Sequence, residues 1–300
     1  MSKKGLYYGI LAYTLWGFLP LYWHALQNVP ASVILVNRIL WSFVFLAILL
    51  SFRKRWAWVQ TLRTDKSAIL YMVLAAVLIG VNWYIYIWAV NADYVVETSL
   101  GYFINPLVNV FLGTFFLHEQ LRTGQWWSVG LAGLGVLYLT AIYGSLPWIA
   151  LSLAFSFGFY GLIKKKVRLG AAESLTSEMS VLLIPALLFL TYISTINQTS
   201  IELSDIRTIV LLVGSGIVTA IPLVLFAAAA RRIPLTTIGL LQYIAPTIQF
   251  LIGVYIFQEP FTTQRLIGFV VIWVALALYT IEGIYHQRNR TSLSASKELS

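Results

Sequence analysis

Ten apolar stretches follow one another along this chain, at residues 5–23, 32–51, 68–90, 93–116, 125–142, 145–163, 176–196, 207–229, 236–257 and 264–285. A helix crosses the hydrocarbon core of a bilayer with about 20 residues, whereas a spanning strand needs only about 10 and alternates in polarity. The stretches are therefore read as transmembrane helices, and the fold class as an all-α integral membrane protein. In a chain of 300 residues, ten spans leave short loops and two tails, with no room for a separate catalytic domain. Composition agrees: 10% of the residues are charged and 59% are hydrophobic, against about 25% charged in a soluble domain. The first stretch follows Lys3 and Lys4 as a signal peptide would. No small-residue cleavage site comes after it, so it is read as a retained helix.

The cations orient the spans. Of 20 Lys and Arg, 17 fall on one side when loops are counted alternately, among them Lys3, Lys4, Arg53, Lys54, Arg55, Lys164, Lys165 and Lys166. Arg207 and Arg265 fall on the other, and Arg38 lies inside a span. Cytoplasmic loops carry the excess of Lys and Arg, so both termini are expected in the cytoplasm. The formal charge of +9 is then a topology signal. It points to anionic lipid at the cytoplasmic face and away from nucleic acid.

An internal repeat appears at an offset of about 140 residues. SLGYFINPLVNVFLGTFFLHEQ (99–120) aligns with GLLQYIAPTIQFLIGVYIFQEP (239–260), pairing Pro106 with Pro246, Asn109 with Gln249, Gly113 with Gly253 and Glu119 with Glu259. Upstream, Trp16-Gly17-Phe18 falls on Phe157-Gly158-Phe159. The expected halves are residues 1–143 and 144–286, with a polar cytoplasmic tail over 287–300. Five spans is an odd number, so the second half enters the membrane from the opposite side. Inverted repeats of this kind build secondary transporters, whose solute site lies between the halves near the midplane.

Arg38 and Glu97 are the charges placed within spans at similar depth from the external face. An ionised group in hydrocarbon costs at least about 2.5 kcal/mol on insertion scales. Either they pair across the interior, with Glu97 releasing Arg38 on protonation, or both snorkel to the headgroups. Glu97, Gly101, Asn105 and Asn109 recur every four residues and form one polar stripe on a helix. Gln242 and Gln249 form the matching stripe in the other half. Amides facing lipid would be unsatisfied, so both stripes face inward, to line a cavity or to bond a neighbouring helix. Asn82 and Tyr86, one turn apart, could line a pocket with Tyr102 and Tyr243. Pro106 and Pro246 each remove a helical hydrogen bond and are candidate hinges or static kinks. Gly5 and Gly9, or Gly130, Gly133 and Gly135, suit close helix packing.

Catalytic signatures such as HExxH, GxSxG and Walker A are missing from the sequence. There is no Cys, and His24, His118 and His286 stand apart. Neither a metal nor another cofactor is therefore expected, nor an enzyme.

The segments LWGFLPLYW (15–23), NRILWSF (37–43), LIGVNWYIYIWAVN (78–91), SLGYFINPLVN (99–109), GSLPWIALSLAFSFGFYGLIKKK (144–166), GIVTAIPL (216–223) and QYIAPT (242–247) resemble the RarD subfamily of EamA-type transporters, in the drug/metabolite transporter superfamily. The resemblance runs along nearly the whole chain. It implies ten helices in two EamA repeats, residence in the bacterial cytoplasmic membrane, and solute movement without ATP hydrolysis, often coupled to protons. The expected function is secondary transport of a small amphipathic or aromatic metabolite or drug, in the export direction. A non-transporting membrane sensor and a lipid-modifying enzyme are the alternatives. The oligomeric state is left open.

Overall fold

The structure is a computed structural model that describes residues 2–92, 94–143, 147–195, 205–258 and 263–298. The side chains of a few helical residues, Glu97 among them, lie outside that description. Twelve helices and no strand occur among the described residues: α1 (Lys3–His24), α2 (Ala31–Phe52), α3 (Trp58–Thr64), α4 (Lys66–Asn91), α5 (Val95–Leu117), α6 (Thr123–Tyr143), α7 (Trp148–Lys166), α8 (Ala171–Thr195), α9 (Ile206–Ala230), α10 (Leu235–Leu241), α11 (Ile244–Tyr255) and α12 (Thr263–Glu298).

Among the described residues, eight segments are long and apolar enough to cross a membrane: α2, α4, α5, α6, α8, α9, α10 with α11, and α12. α1 and α7 have 22 and 19 residues but are not among those eight. Their sequences explain why: α1 carries Lys3, Lys4, four Tyr, two Trp and three Gly, and α7 ends in Lys164, Lys165 and Lys166. α7 buries Ile149, Ala150, Leu153, Ala154, Ser156, Gly158, Tyr160, Gly161, Leu162 and Lys164, and α1 buries Gly5, Gly9, Ala12, Tyr13 and Gly17.

The largest helix–helix interfaces all join a helix before residue 143 to one after 148. α5 packs on α7 and α10, α4 on α7, α2 on α8 and α9, α1 on α9 and α11, and α6 on α12. The tightest approach between helices at a glycine is at Gly216, where a Cβ would meet the Trp41 backbone carbon at 2.2 Å. There the Ser42 hydroxyl donates to the Gly216 carbonyl at 3.0 Å. Gly5 and Gly9 also pack closely, against Arg232 and Leu241, and Gly135 meets Ile272. Gly130 and Gly133 have nothing within 4 Å, which corrects the expectation of close packing there.

Three other features depart from the sequence reading. The ninth expected span is broken into α10 and α11. α3 adds a short helix between α2 and α4. α12 runs on to Glu298, through the expected tail, because neither Pro nor Gly follows Gly283 to stop it.

Candidate functional site

A cavity of about 610 Å³ lies between the helices that come before residue 143 and those that come after 148. α1 contributes Tyr13, Trp16, Leu19, Pro20, Trp23 and His24; α2 contributes Arg38; α4 contributes Asn82, Trp83 and Tyr86; α5 contributes Thr98, Gly101, Tyr102 and Asn105. Facing them are Leu153 and Phe157 of α7, Thr219 and Leu223 of α9, and Gln242, Ala245, Pro246, Gln249 and Phe257 around α11. Its size falls within the range of small-molecule sites, about 300–1,000 Å³. The lining reaches exposed His24 at the end of α1, whose ring packs on Phe257 with centroids 4.7 Å apart. No described residue from the basic end of the bundle, where Lys3, Arg53, Lys166 and Arg231 lie, lines it. The cavity is thus continuous with the far end and stops short of the basic one.

Arg38 is held in place from three sides. Its guanidinium carbon lies 4.9 Å from the Trp23 ring centroid and 4.7 Å from that of Trp83. Its Nε donates to Thr219 Oγ1 at 3.0 Å. Each cation–π contact of this kind is worth about 0.5–2 kcal/mol. Among the described residues no carboxylate pairs with Arg38, and no described lining residue is acidic. The site is a caged cation with aromatic walls.

The amides divide into scaffold and lining. Asn82 Nδ2 donates to the Leu153 carbonyl and to Ser156 Oγ, both at 2.9 Å, tying α4 to α7. Asn109 Nδ2 donates to Gln242 Oε1 at 2.8 Å and to Asn105 Oδ1 at 3.2 Å, bonding α5 to the residue at the α10–α11 break. Gln249 Nε2 donates to the Trp16 carbonyl at 3.1 Å. The two alternatives for the polar stripes, cavity wall and interhelical bond, therefore coincide at Gln242 and Gln249, while Asn105 lines the cavity and accepts its bond from Asn109 of its own helix. Tyr13 is also in the lining, and its buried hydroxyl has no hydrogen-bond partner among the described residues.

Of the residues singled out from sequence, Arg38, Asn82, Tyr86, Tyr102, Asn105, Gln242, Gln249 and Pro246 line this one cavity. Asn109 stands behind Asn105 and Gln242, outside the lining. Tyr243 is fully buried, its hydroxyl donating to the Phe103 carbonyl at 3.2 Å, so it packs α10–α11 onto α5 and does not wall the cavity. Pro106 also lies outside the lining; its carbonyl presses on Gly239. The Arg38–Glu97 pairing falls outside the described residues. Sequence reasoning did not single out Trp16, Trp23, Trp83, Phe157 or Thr219. The repeat held a signal for two of them, since it pairs Trp16 with Phe157, and their rings meet edge to face at 5.8 Å.

Sequence reasoning also counted Lys164 as a loop cation. It is 1% exposed and ion-paired with Glu178 of α8, itself fully buried. Ser174 Oγ lies 2.9 Å from Lys164 Nζ and 2.8 Å from Glu178 Oε1, and the Tyr160 hydroxyl donates to Glu178 Oε2 at 3.0 Å. The buried pair is satisfied on every side, as a charge away from water must be.

Comparison with known proteins gives this architecture a family. The EamA-like transporter family profile matches residues 3–141 and again residues 146–281. The chain is 44% identical to Protein RarD of Streptomyces exfoliatus, over 98% of this chain and 94% of that protein. It is 45% identical to the uncharacterized transporter YojE of Bacillus subtilis (strain 168), covering 96% and 97%. It is 43% identical to Protein RarD of Escherichia coli (strain K12), covering 97% and 98%. A solved crystal structure at 19% identity shares the fold, with a TM-score of 0.70 over 93% of this chain and 98% of that one. A multi-pass bacterial membrane protein with this helical plan and these relatives belongs to the EamA-like transporter family, in its RarD branch.

Proposed function

We propose that the chain is a secondary transporter of ten spans, α1, α2, α4–α9, α10 with α11, and α12, arranged as two inverted halves with both termini in the cytoplasm. The observation that carries this reading is the cavity, walled by both halves, continuous with one end of the bundle and stopped at the other. Under alternating access that is an outward-open state, with the basic end facing the cytoplasm.

The solute that suits this lining has an aromatic or amphipathic body and a negatively charged group. Indoles and phenols at Trp16, Trp23, Trp83, Tyr86 and Tyr102 favour planar apolar surface. Arg38, without a carboxylate partner among the described residues, favours an anion that replaces the counter-charge a desolvated guanidinium needs. Asn82, Asn105, Gln242 and Gln249 supply amide groups. Export is the direction proposed, with protons as coupling ion and Glu97 as the proton-sensitive group. Anionic lipid is the partner of the basic face.

Proteoliposome counterflow tests the reading. Matched aromatic solutes differing only in charge (a carboxylate, its alcohol and its amine) are supplied with a pH-reporting dye trapped inside. Exchange that prefers the carboxylate and is lost in Arg38→Gln supports it. Exchange indifferent to charge removes the role of Arg38, and unchanged proton movement in Glu97→Gln removes that of Glu97. Silence with every solute, in folded protein, removes transport.

A further inference from the structure

We propose that Glu119, Lys165 and the first turn of α10 form a latch that holds the basic end of the protein shut. The inference rests on the alternating-access reading above and adds the residues that keep one of its two gates closed.

The latch begins with a turn. α5 stops at Leu117, and His118 adopts a left-handed conformation with φ of 52°. The Glu119 N–H then returns to the Gly113 carbonyl at 3.0 Å, the bond that closes a helix end of this type. This sends the Glu119 side chain back across Gly113, where an added Cβ would meet Glu119 Oε2 at 2.7 Å. A side chain there would push the carboxylate off that path.

The carboxylate meets the start of α10. Oε1 accepts from the Leu235 N–H at 2.8 Å and Oε2 from the Thr236 N–H at 3.0 Å, two of the amide groups that a helix start leaves without an internal partner. Lys165 Nζ stands 3.0 Å from Glu119 Oε1 and donates to the Ile233 carbonyl at 2.8 Å. One carboxylate from before residue 143 thus binds a helix start and a cation from after 148. The two side chains are only 13% and 25% exposed, so solvent screens the interaction less than it would a surface pair.

Position separates this from an ordinary cap. The latch closes the end that the cavity does not reach, and the Asn109–Gln242 bond lies between it and the cavity floor. The element it holds, α10, is seven residues long and is separated from α11 at Gln242 and Tyr243. α10 therefore has a break on one side and a latch on the other. Opening the basic end requires the end of α5 to part from the start of α10, and these bonds must break first.

The chain has no Cys, so a single introduced thiol reports cleanly. Ala245 lines the cavity, and Ala245→Cys is probed with an impermeant maleimide applied to one face at a time, in proteoliposomes of uniform orientation. With the latch intact, labelling is expected from the far face. Glu119→Ala should raise labelling from the basic face by about tenfold or more, the population shift that follows loss of two charge-assisted hydrogen bonds. Lys165→Met should shift it the same way by less. A cap with no gating role would lower thermal stability in Glu119→Ala and leave the sidedness as it was. That result in monodisperse protein, with solute exchange intact, overturns the latch alone. A native protein that labels only from the far face under every condition and exchanges no solute overturns the transport reading and the latch with it.

Discussion

α5 and the α10–α11 pair occupy aligned places in the sequence repeat, each with a proline at the same point, yet one is continuous and the other is broken. Around the break the hydrogen bonds shorten their reach. The Gln242 N–H is shared between the Ile238 and Gly239 carbonyls, Tyr243 bonds Leu240, and Ala245 bonds Gln242. Pro246 has no N–H to give the Gln242 carbonyl, but Pro106 withholds the same bond in α5 without interrupting it. Surroundings make the difference. Gly239 is pressed against the Pro106 carbonyl, where a Cβ would come within 2.5 Å, and the Gln242 side chain is drawn to Asn109. Left-handed residues recur at aligned positions beyond both segments, His118 (φ 52°) and Gln258 (φ 54°), although α11 ends at Tyr255, two positions earlier in the repeat than α5. A proline permits a break, and tertiary contacts decide whether it occurs.

The contrast breaks most readily at Gly239. Gly239→Val should cost about 3 kcal/mol or more, since its new atoms collide with backbone, and should lower the thermal midpoint in detergent sharply. Gly130→Ala, with open space around it, should hold or slightly raise the same midpoint. Next come Asn109→Leu and Gln242→Leu, each stranding a buried amide at about 1–3 kcal/mol. A double-mutant cycle should return a coupling of about 0.5–3 kcal/mol, and a value near zero would deny that this bond holds α5 to the break. The prolines sharpen the comparison further. Pro246→Ala gives Gln242 back its helical partner and should slow solute exchange more than Pro106→Ala; equal effects would make both of them static kinks.

The smallest effect concerns acid. Burial pushes the Glu119 carboxyl up, but the Thr236 and Leu235 N–H groups and Lys165 outweigh it and hold it below the usual carboxylate range. A group lowered on folding contributes stability that is present above its unfolded pKa and lost as pH falls through the folded value. Thermal midpoints followed from pH 7 to about 3, across the ordinary carboxylate range, should therefore fall less steeply in Glu119→Gln than in the native protein.

The eight segments long and apolar enough to cross a membrane were legible because lipid imposes length and apolarity, and that signal is local. The cavity residues Arg38, Asn82 and Gln249 were legible for the same reason: polar groups in apolar runs need an inner face. Tyr243 read as an aromatic wall residue beside Tyr86 and Tyr102, but its ring is fully buried with the hydroxyl on the Phe103 carbonyl, a tertiary contact that no local pattern encodes. Trp23 and Trp83 were indistinguishable from the many aromatics that sit at membrane interfaces; their role depends on Arg38 lying between them, which no local pattern encodes. The Lys164–Glu178 pair was hidden in a basic cluster, since sequence does not say which of three consecutive lysines turns inward.

That pair has a consequence for how the chain is made. Residues 167–170 alone separate α7 from α8, and Lys164 lies 14 positions before Glu178. Leaving the ribosome one helix at a time, α7 would carry an unneutralised ammonium and α8 an unneutralised carboxylate into an apolar environment. As a hairpin, each brings the other's counter-ion, so these two helices are expected to be inserted together. An insertion assay on the isolated hairpin, which should lose efficiency in Glu178→Ala and regain it when Lys164→Ala is added, would measure that dependence at the moment of synthesis.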